Sequence, residues 1–362
     1  MIDFRYHLVS VVAVFLALTA GLVLGSTVLQ DPLLNTLRSE SADLRGESED
    51  LRAERDEAER LNAGADQLTE AVAGDVLAGR LSGLGVVLVA APGADEEAVR
   101  RLGGRIEDAE GEAVGRVLLD DAMLDGAGST FVDELSLQVS GDPEGLSGGP
   151  YDKAGAELGR ALATVDDQGD GGAEAPDEAD GTDDTADGTD EADGTGDTGG
   201  ADDTADGTEE TGAGGPDPDH DASAVLSAFQ EGGLLTVEGS PARSADALIV
   251  VAPPHTPTGD QETAHTILAD LTAALHDEVG PAVLAGDTAS ARGGGLLAQV
   301  REEDPPFTTV DVVGRPTGDM ATVLALADAV EGAGAAYGVG EGVSGFLPDP
   351  LPGPVEPSPA AP

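Results

Sequence analysis

The chain has 362 residues and sets 71 acidic side chains against 17 basic ones, a formal charge of −54. That balance excludes nucleic acid as a partner, since neutralising phosphates needs a basic face, and it keeps the bulk of the chain off anionic lipid. The absence of Cys excludes disulfide frameworks and thiolate metal sites.

The first element is a membrane span. Leu8–Leu29 is a run of 22 residues with no formal charge. As a helix it reaches roughly 33 Å, enough for a bilayer core. A cleaved signal peptide is the competing reading, but its apolar region is usually shorter, at about 7–15 residues, and ends at an A-x-A-like site. Here the small-residue site is only Val23-x-Gly25. Ala13, Ala17, Gly21 and Gly25 recur at spacing four on one helix face. Such a face lets two membrane helices pack closely, so a homo-oligomer is expected. Arg5 precedes the span and the first basic residue after it is Arg38. The positive-inside rule then places residues 1–30 as a short cytoplasmic tail plus anchor, with the C-terminal domain outside the cytoplasm.

Residues 31–70 read as a stalk. Leu37, Leu44 and Leu51 repeat at seven among Glu and Arg spaced for intrahelical pairs. This predicts a short coiled coil; a lone helix is the alternative.

An α/β domain follows in two parts, 84–165 and 222–346. Apolar runs at Gly85–Gly93, Val114–Leu119, Asp246–Ala252, Pro281–Leu284 and Thr308–Val313 read as buried strands. They alternate with helical stretches at Asp95–Glu110, Thr130–Val139, Lys153–Val165, Asp260–Asp277, Ala289–Arg301 and Asp319–Glu331. Runs apolar on both faces suit a mostly parallel sheet in a three-layer domain. The expected strand ends hold no G-x-G-x-x-G, and P-loop and H-E-x-x-H motifs are absent. The expectation is that the chain is not an enzyme, with no catalytic residue and no tight cofactor; an exported α/β enzyme or ligand-binding module is one rival.

Between the two parts, residues 166–221 hold 22 acidic residues and no Lys or Arg, with DDTADGT at Asp183–Thr189 and again at Asp202–Thr208. This composition supplies no core and predicts a disordered insertion. Asp217, Asp219 and Asp221 have calcium-loop spacing, but Ala222 and Ala228 stand where the loop needs Gly and Glu. Residues 347–362 are Pro-rich and are expected to be a flexible tail.

The opening MIDFRYHLVSVVAVFLALTAGLVLGS and the Leu/Arg/Glu-rich helix after it resemble the actinobacterial family of mycobacterial copper transport protein B. The resemblance implies a cell-envelope protein of copper homeostasis, part of a channel that lets copper out, with copper ion as cargo. Copper(I) prefers thiolate and thioether ligands. This chain offers no Cys and three Met, so His255, His265 and His276 are the weak metal candidates. A structural scaffold of the cell-division or cell-shape type has the same build and is the other rival.

Overall fold

The structure, a computed structural model, describes residues 4–164, 221–254, 261–332 and 334–355; for residues 25–38 only the backbone is described. The acidic insertion is thus outside the described residues, apart from Asp221. The chain divides into two units, Met1–Ala71 and Val72–Pro362.

The first unit is carried by one helix, α1 (Phe4–Leu77), whose last turn belongs to the second unit. The expected anchor and stalk therefore share a single uninterrupted helix. Leu44, Leu51, Leu61 and Leu68 are exposed along it. No helix packs against this column among the described residues, so the coiled coil rests on the sequence pattern alone. Arg55 pairs with Asp56 at 2.9 Å and with Glu59 at 3.2 Å, which supports the helix from within.

The second unit holds, in chain order, β1 (Gly85–Ala90), α2 (Glu96–Asp108), β2 (Glu112–Leu119), α3 (Ser129–Val139), α4 (Pro150–Leu162), α5 (Ala222–Glu231), β3 (Leu235–Gly239), β4 (Ala247–Val251), α6 (Glu262–Val279), β5 (Ala282–Ala285), α7 (Leu296–Glu302), β6 (Thr308–Val310), α8 (Pro316–Val330) and β7 (Ala336–Tyr337). The seven strands form one sheet in the order β3-β2-β1-β4-β5-β6-β7. Every pairing is parallel except β2 with β3. β4 is buried at all five positions, as a central parallel strand covered on both faces should be.

Two apolar layers sandwich the sheet. On one side α3 to α7 pack through residues such as Leu158, Phe229, Leu271 and Leu297. On the other lie α2, α8 and the root of α1, through Leu77, Leu81, Leu102, Ile106 and Leu324. The second layer is also tied by a buried ion pair. Arg101 Nε on α2 donates to Asp319 Oδ2 on α8 at 2.7 Å, and Gly314 N donates to Asp319 Oδ1 at 3.0 Å. Burial outweighs that pairing and holds the Asp319 carboxyl above the usual carboxylate range.

Three features depart from the sequence expectation. α5, β3 and β7 are additional, and β3 closes the sheet as an antiparallel edge. Asp221, assigned to the insertion, is the N-cap of α5, its Oδ1 accepting from Ala224 N at 3.0 Å. The stretch expected to be a flexible tail from Leu347 is docked as far as Val355: Leu347 packs on the second core layer and Val355 N donates to Gly79 O at 2.8 Å. Residues 356–362 lie outside the described residues.

Candidate functional site

The membrane-facing candidate is the N-terminal part of α1. Phe4–Leu24 is 21 residues long with mean hydropathy 2.4, and none of it is buried within the chain. It is long and apolar enough to cross a membrane. Phe15, Leu16, Leu18 and Leu22 are among its exposed side chains. Each gains about 1.5–3 kcal/mol on leaving water, so the run as a whole strongly disfavours an aqueous setting. Thr19 satisfies its hydroxyl inside the helix, donating to Phe15 O at 2.6 Å. Ala13, Ala17 and Gly21 line up on one face, and a Cβ at Gly21 would meet nothing within 4 Å. The surroundings of Gly25 and Leu37 lie outside the described residues.

The second candidate is the carboxyl edge of the sheet. The strand order reverses between β1 and β4, which run parallel, and at such a switch point α/β sheets bind ligands. There β1 runs into Ala91-Pro92-Gly93 and β4 into Ala252-Pro253-Pro254, two short segments without an ionisable side chain. His255 follows directly and lies outside the described residues. Around this edge the carboxylates close local structure. Asp95 Oδ1 accepts from Glu97 N at 2.9 Å as the cap of α2, and Asp287 Oδ1 accepts from Ser290 N at 2.8 Å.

Asp311, just after β6, is the most committed of them. It is fully buried and its Oδ2 accepts from Arg301 Nη1 at 2.6 Å. Backbone N–H groups of Val339 and Gly340 also donate to the carboxylate, at 2.8 and 3.0 Å. Arg301 completes its fork on Thr309 Oγ1 and Tyr337 O. Gly338, at φ 128°, lets the backbone wrap the carboxylate where any Cβ would strike it. This ion pair shapes the wall of a cleft of about 630 Å³ between Arg292-Gly293 and the Gly340–Gly342 loop.

Among the described residues the histidines are not brought together. His265 is buried on α6 with Nδ1 3.2 Å from Gln299 Oε1. His276 sits at the end of α6, and its Nδ1 donates to Gly280 O at 2.7 Å, closing the helix terminus. A cleft of about 220 Å³ beside His265 is walled by Glu262, Asp270, Glu302 and Glu303. Burial, with the charges of Asp152 and Glu303, raises the Asp270 carboxyl above its ordinary range. Among the described residues no three His or carboxylate side chains are grouped to hold a metal ion. Met123 is fully buried in the first core layer and Met320 packs on the second, so both thioethers serve the core.

Sequence reading missed the Arg301–Asp311 and Arg101–Asp319 pairs. At this acidity a lone Asp carries no signal. The visible trace was Arg301 at the end of a helical stretch and Asp311 at the end of an apolar strand.

The family described as "Copper transport outer membrane protein, MctB" matches residues 1–348. "Copper transporter MctB" of Mycobacterium leprae is 28% identical over 352 residues, covering 95% of this chain and 98% of that protein. The proteins of the same name from Mycobacterium tuberculosis and Mycobacterium bovis are 32% identical over 125 residues. Those two matches cover 34% of this chain and span 40% of the relatives' length.

Proposed function

We propose that this chain, which belongs to the MctB family of copper transport outer membrane proteins, is a membrane-anchored cell-envelope protein that lowers intracellular copper. The observation that carries the reading is the match over residues 1–348, which takes in the exposed apolar helix Phe4–Leu24 as well as the α/β domain. In this reading the anchor is retained, the N-terminus is cytoplasmic and the domain stands outside. Arg5 before the span and no basic residue until Arg38 support that orientation.

A single span cannot enclose a pore, so transport calls for several copies or another element. The small-residue face Ala13, Ala17, Gly21 and Gly25 and the column Leu37, Leu44, Leu51 are the surfaces we assign to that assembly. Copper is cargo in this reading and not a tightly held cofactor. The absence of Cys and the core positions of Met123 and Met320 support weak, distributed contacts. The separate tasks of His265 and His276 fit the same picture.

Deleting the gene and comparing cellular copper with growth and shape tests the proposal. Raised copper and raised sensitivity to it support transport. Unchanged copper with altered shape would support an envelope scaffold instead.

A further inference from the structure

The C-terminal residues 352–355 lie against the turn that follows α1. Val355 N donates to Gly79 O at 2.8 Å, and Arg80 Nη1 donates to Pro352 O at 2.6 Å. Gly79 has φ 74°, and a Cβ there would stand 3.1 Å from Pro354 Cβ, so the turn is shaped to receive the strap. The strap is held at its other side by Gly353 N, which donates to Glu331 Oε1 at the end of α8, 2.9 Å away. From beneath, Leu77 and Leu81 are fully buried, and Leu81 N donates to Ala109 O at 3.0 Å. The root of α1 is therefore gripped from the core side and from the outer side by segments far apart in sequence.

Arg80 makes its contact at a cost. Its Nε is buried with no hydrogen-bond partner among the described residues, an arrangement that a freely rotating arginine avoids. We infer that residues 352–355 form a latch over the root of α1. It keeps the turn 78–84, the connection between the N-terminal helix and the α/β domain, closed when the rest of that turn could open locally. Local opening is governed by the contacts over a segment rather than by global stability.

Limited trypsin digestion of the full chain in detergent tests this, with mass spectrometry of the products. Cleavage after Arg60, on the exposed part of α1, is the internal standard. In the intact chain the domain fragment should begin at Leu61, with the Arg80–Leu81 bond protected. Deleting residues 352–362 should speed cleavage after Arg80 at least tenfold relative to Arg60, giving a fragment that begins at Leu81. Glu331→Ala, which frees only the far side of the strap, should speed it by a smaller factor. Unchanged cleavage after Arg80 in the deleted chain overturns the latch. So does a matching rise in cleavage after Arg105 and Arg301, which would make the strap a general stabiliser of the domain.

Discussion

The α4/α6 contact offers a stability test in which helix propensity cancels. Gly155 and Gly159, four apart on α4, face α6 so closely that an added Cβ at Gly155 would stand 2.5 Å from Ala274 Cβ and 3.0 Å from Leu271 O. At Gly159 it would stand 2.6 Å from Glu278 Cβ. Carbon atoms pack at about 3.5–4.0 Å, so Gly155→Ala must push the helices apart by roughly 1 Å or distort them. Overpacking of this kind costs about 1–3 kcal/mol, against a gain of about 0.5–1 kcal/mol from replacing Gly in a helix. Gly104 lies on α2, and a Cβ there meets nothing within 4 Å. Gly104→Ala should keep the whole propensity gain and raise stability by about 0.5–1 kcal/mol. The two variants share the same chemistry in the same kind of element, so their difference, about 1–3 kcal/mol, reports the close approach alone. For a domain of this size each kcal/mol moves the melting temperature by roughly 2–4 °C. Thermal unfolding of both variants by circular dichroism, in the full chain, measures it. Equal stabilisation by the two substitutions would refute the tight α4/α6 contact.

Further outcomes follow from the buried charges and the proposed assembly. Asp311→Ala leaves Arg301 buried without its carboxylate and should cost about 3–5 kcal/mol in the same unfolding assay; a loss below 1 kcal/mol would show that the cleft wall does not depend on the pair. The Asp319 carboxyl is raised in the folded state, so the stability it contributes is present below the ordinary Asp range and is lost as pH rises through the raised value. Stability measured against pH should therefore show wild type gaining on Asp319→Asn as pH falls from neutral, and a gap that narrows instead would contradict the burial argument. A chain of residues 1–70 should crosslink as an oligomer in detergent, and Gly21→Leu with Gly25→Leu should weaken that crosslinking; a monomer would remove the proposed assembly surface.

The strong periodic segments were legible in the sequence because one physical term dominates each. The 21-residue apolar helix and the all-buried strands such as β4 announce themselves by composition. β3 escaped because Leu235–Gly239 is short, alternates in burial and lies between glycines, so no run of apolar residues marks it. α5 escaped because Ala222–Glu231 begins at Asp221, at the very end of the acidic stretch, where a capping Asp looks like one more repeat residue. The docking of residues 347–355 was not legible at all. Apart from Leu347 on the core, it rests on backbone groups of Gly79, Pro352, Gly353 and Val355, met in part by the distant side chains of Arg80 and Glu331, and no pattern within 347–355 marks that. At the candidate sites the small-residue face of α1 was readable from spacing. Histidine spacing on α6 gave no hint that His276 closes a helix end while His265 faces Gln299.

The most direct test of the account is copper release from preloaded cells that lack the gene and are complemented with either the full chain or the variant Gly21→Leu with Gly25→Leu. The account predicts that the full chain restores loss of cellular copper, that the anchor variant restores it only weakly, and that replacing His255, His265 and His276 with Ala leaves it largely intact. Equal copper release with and without the full chain would contradict it.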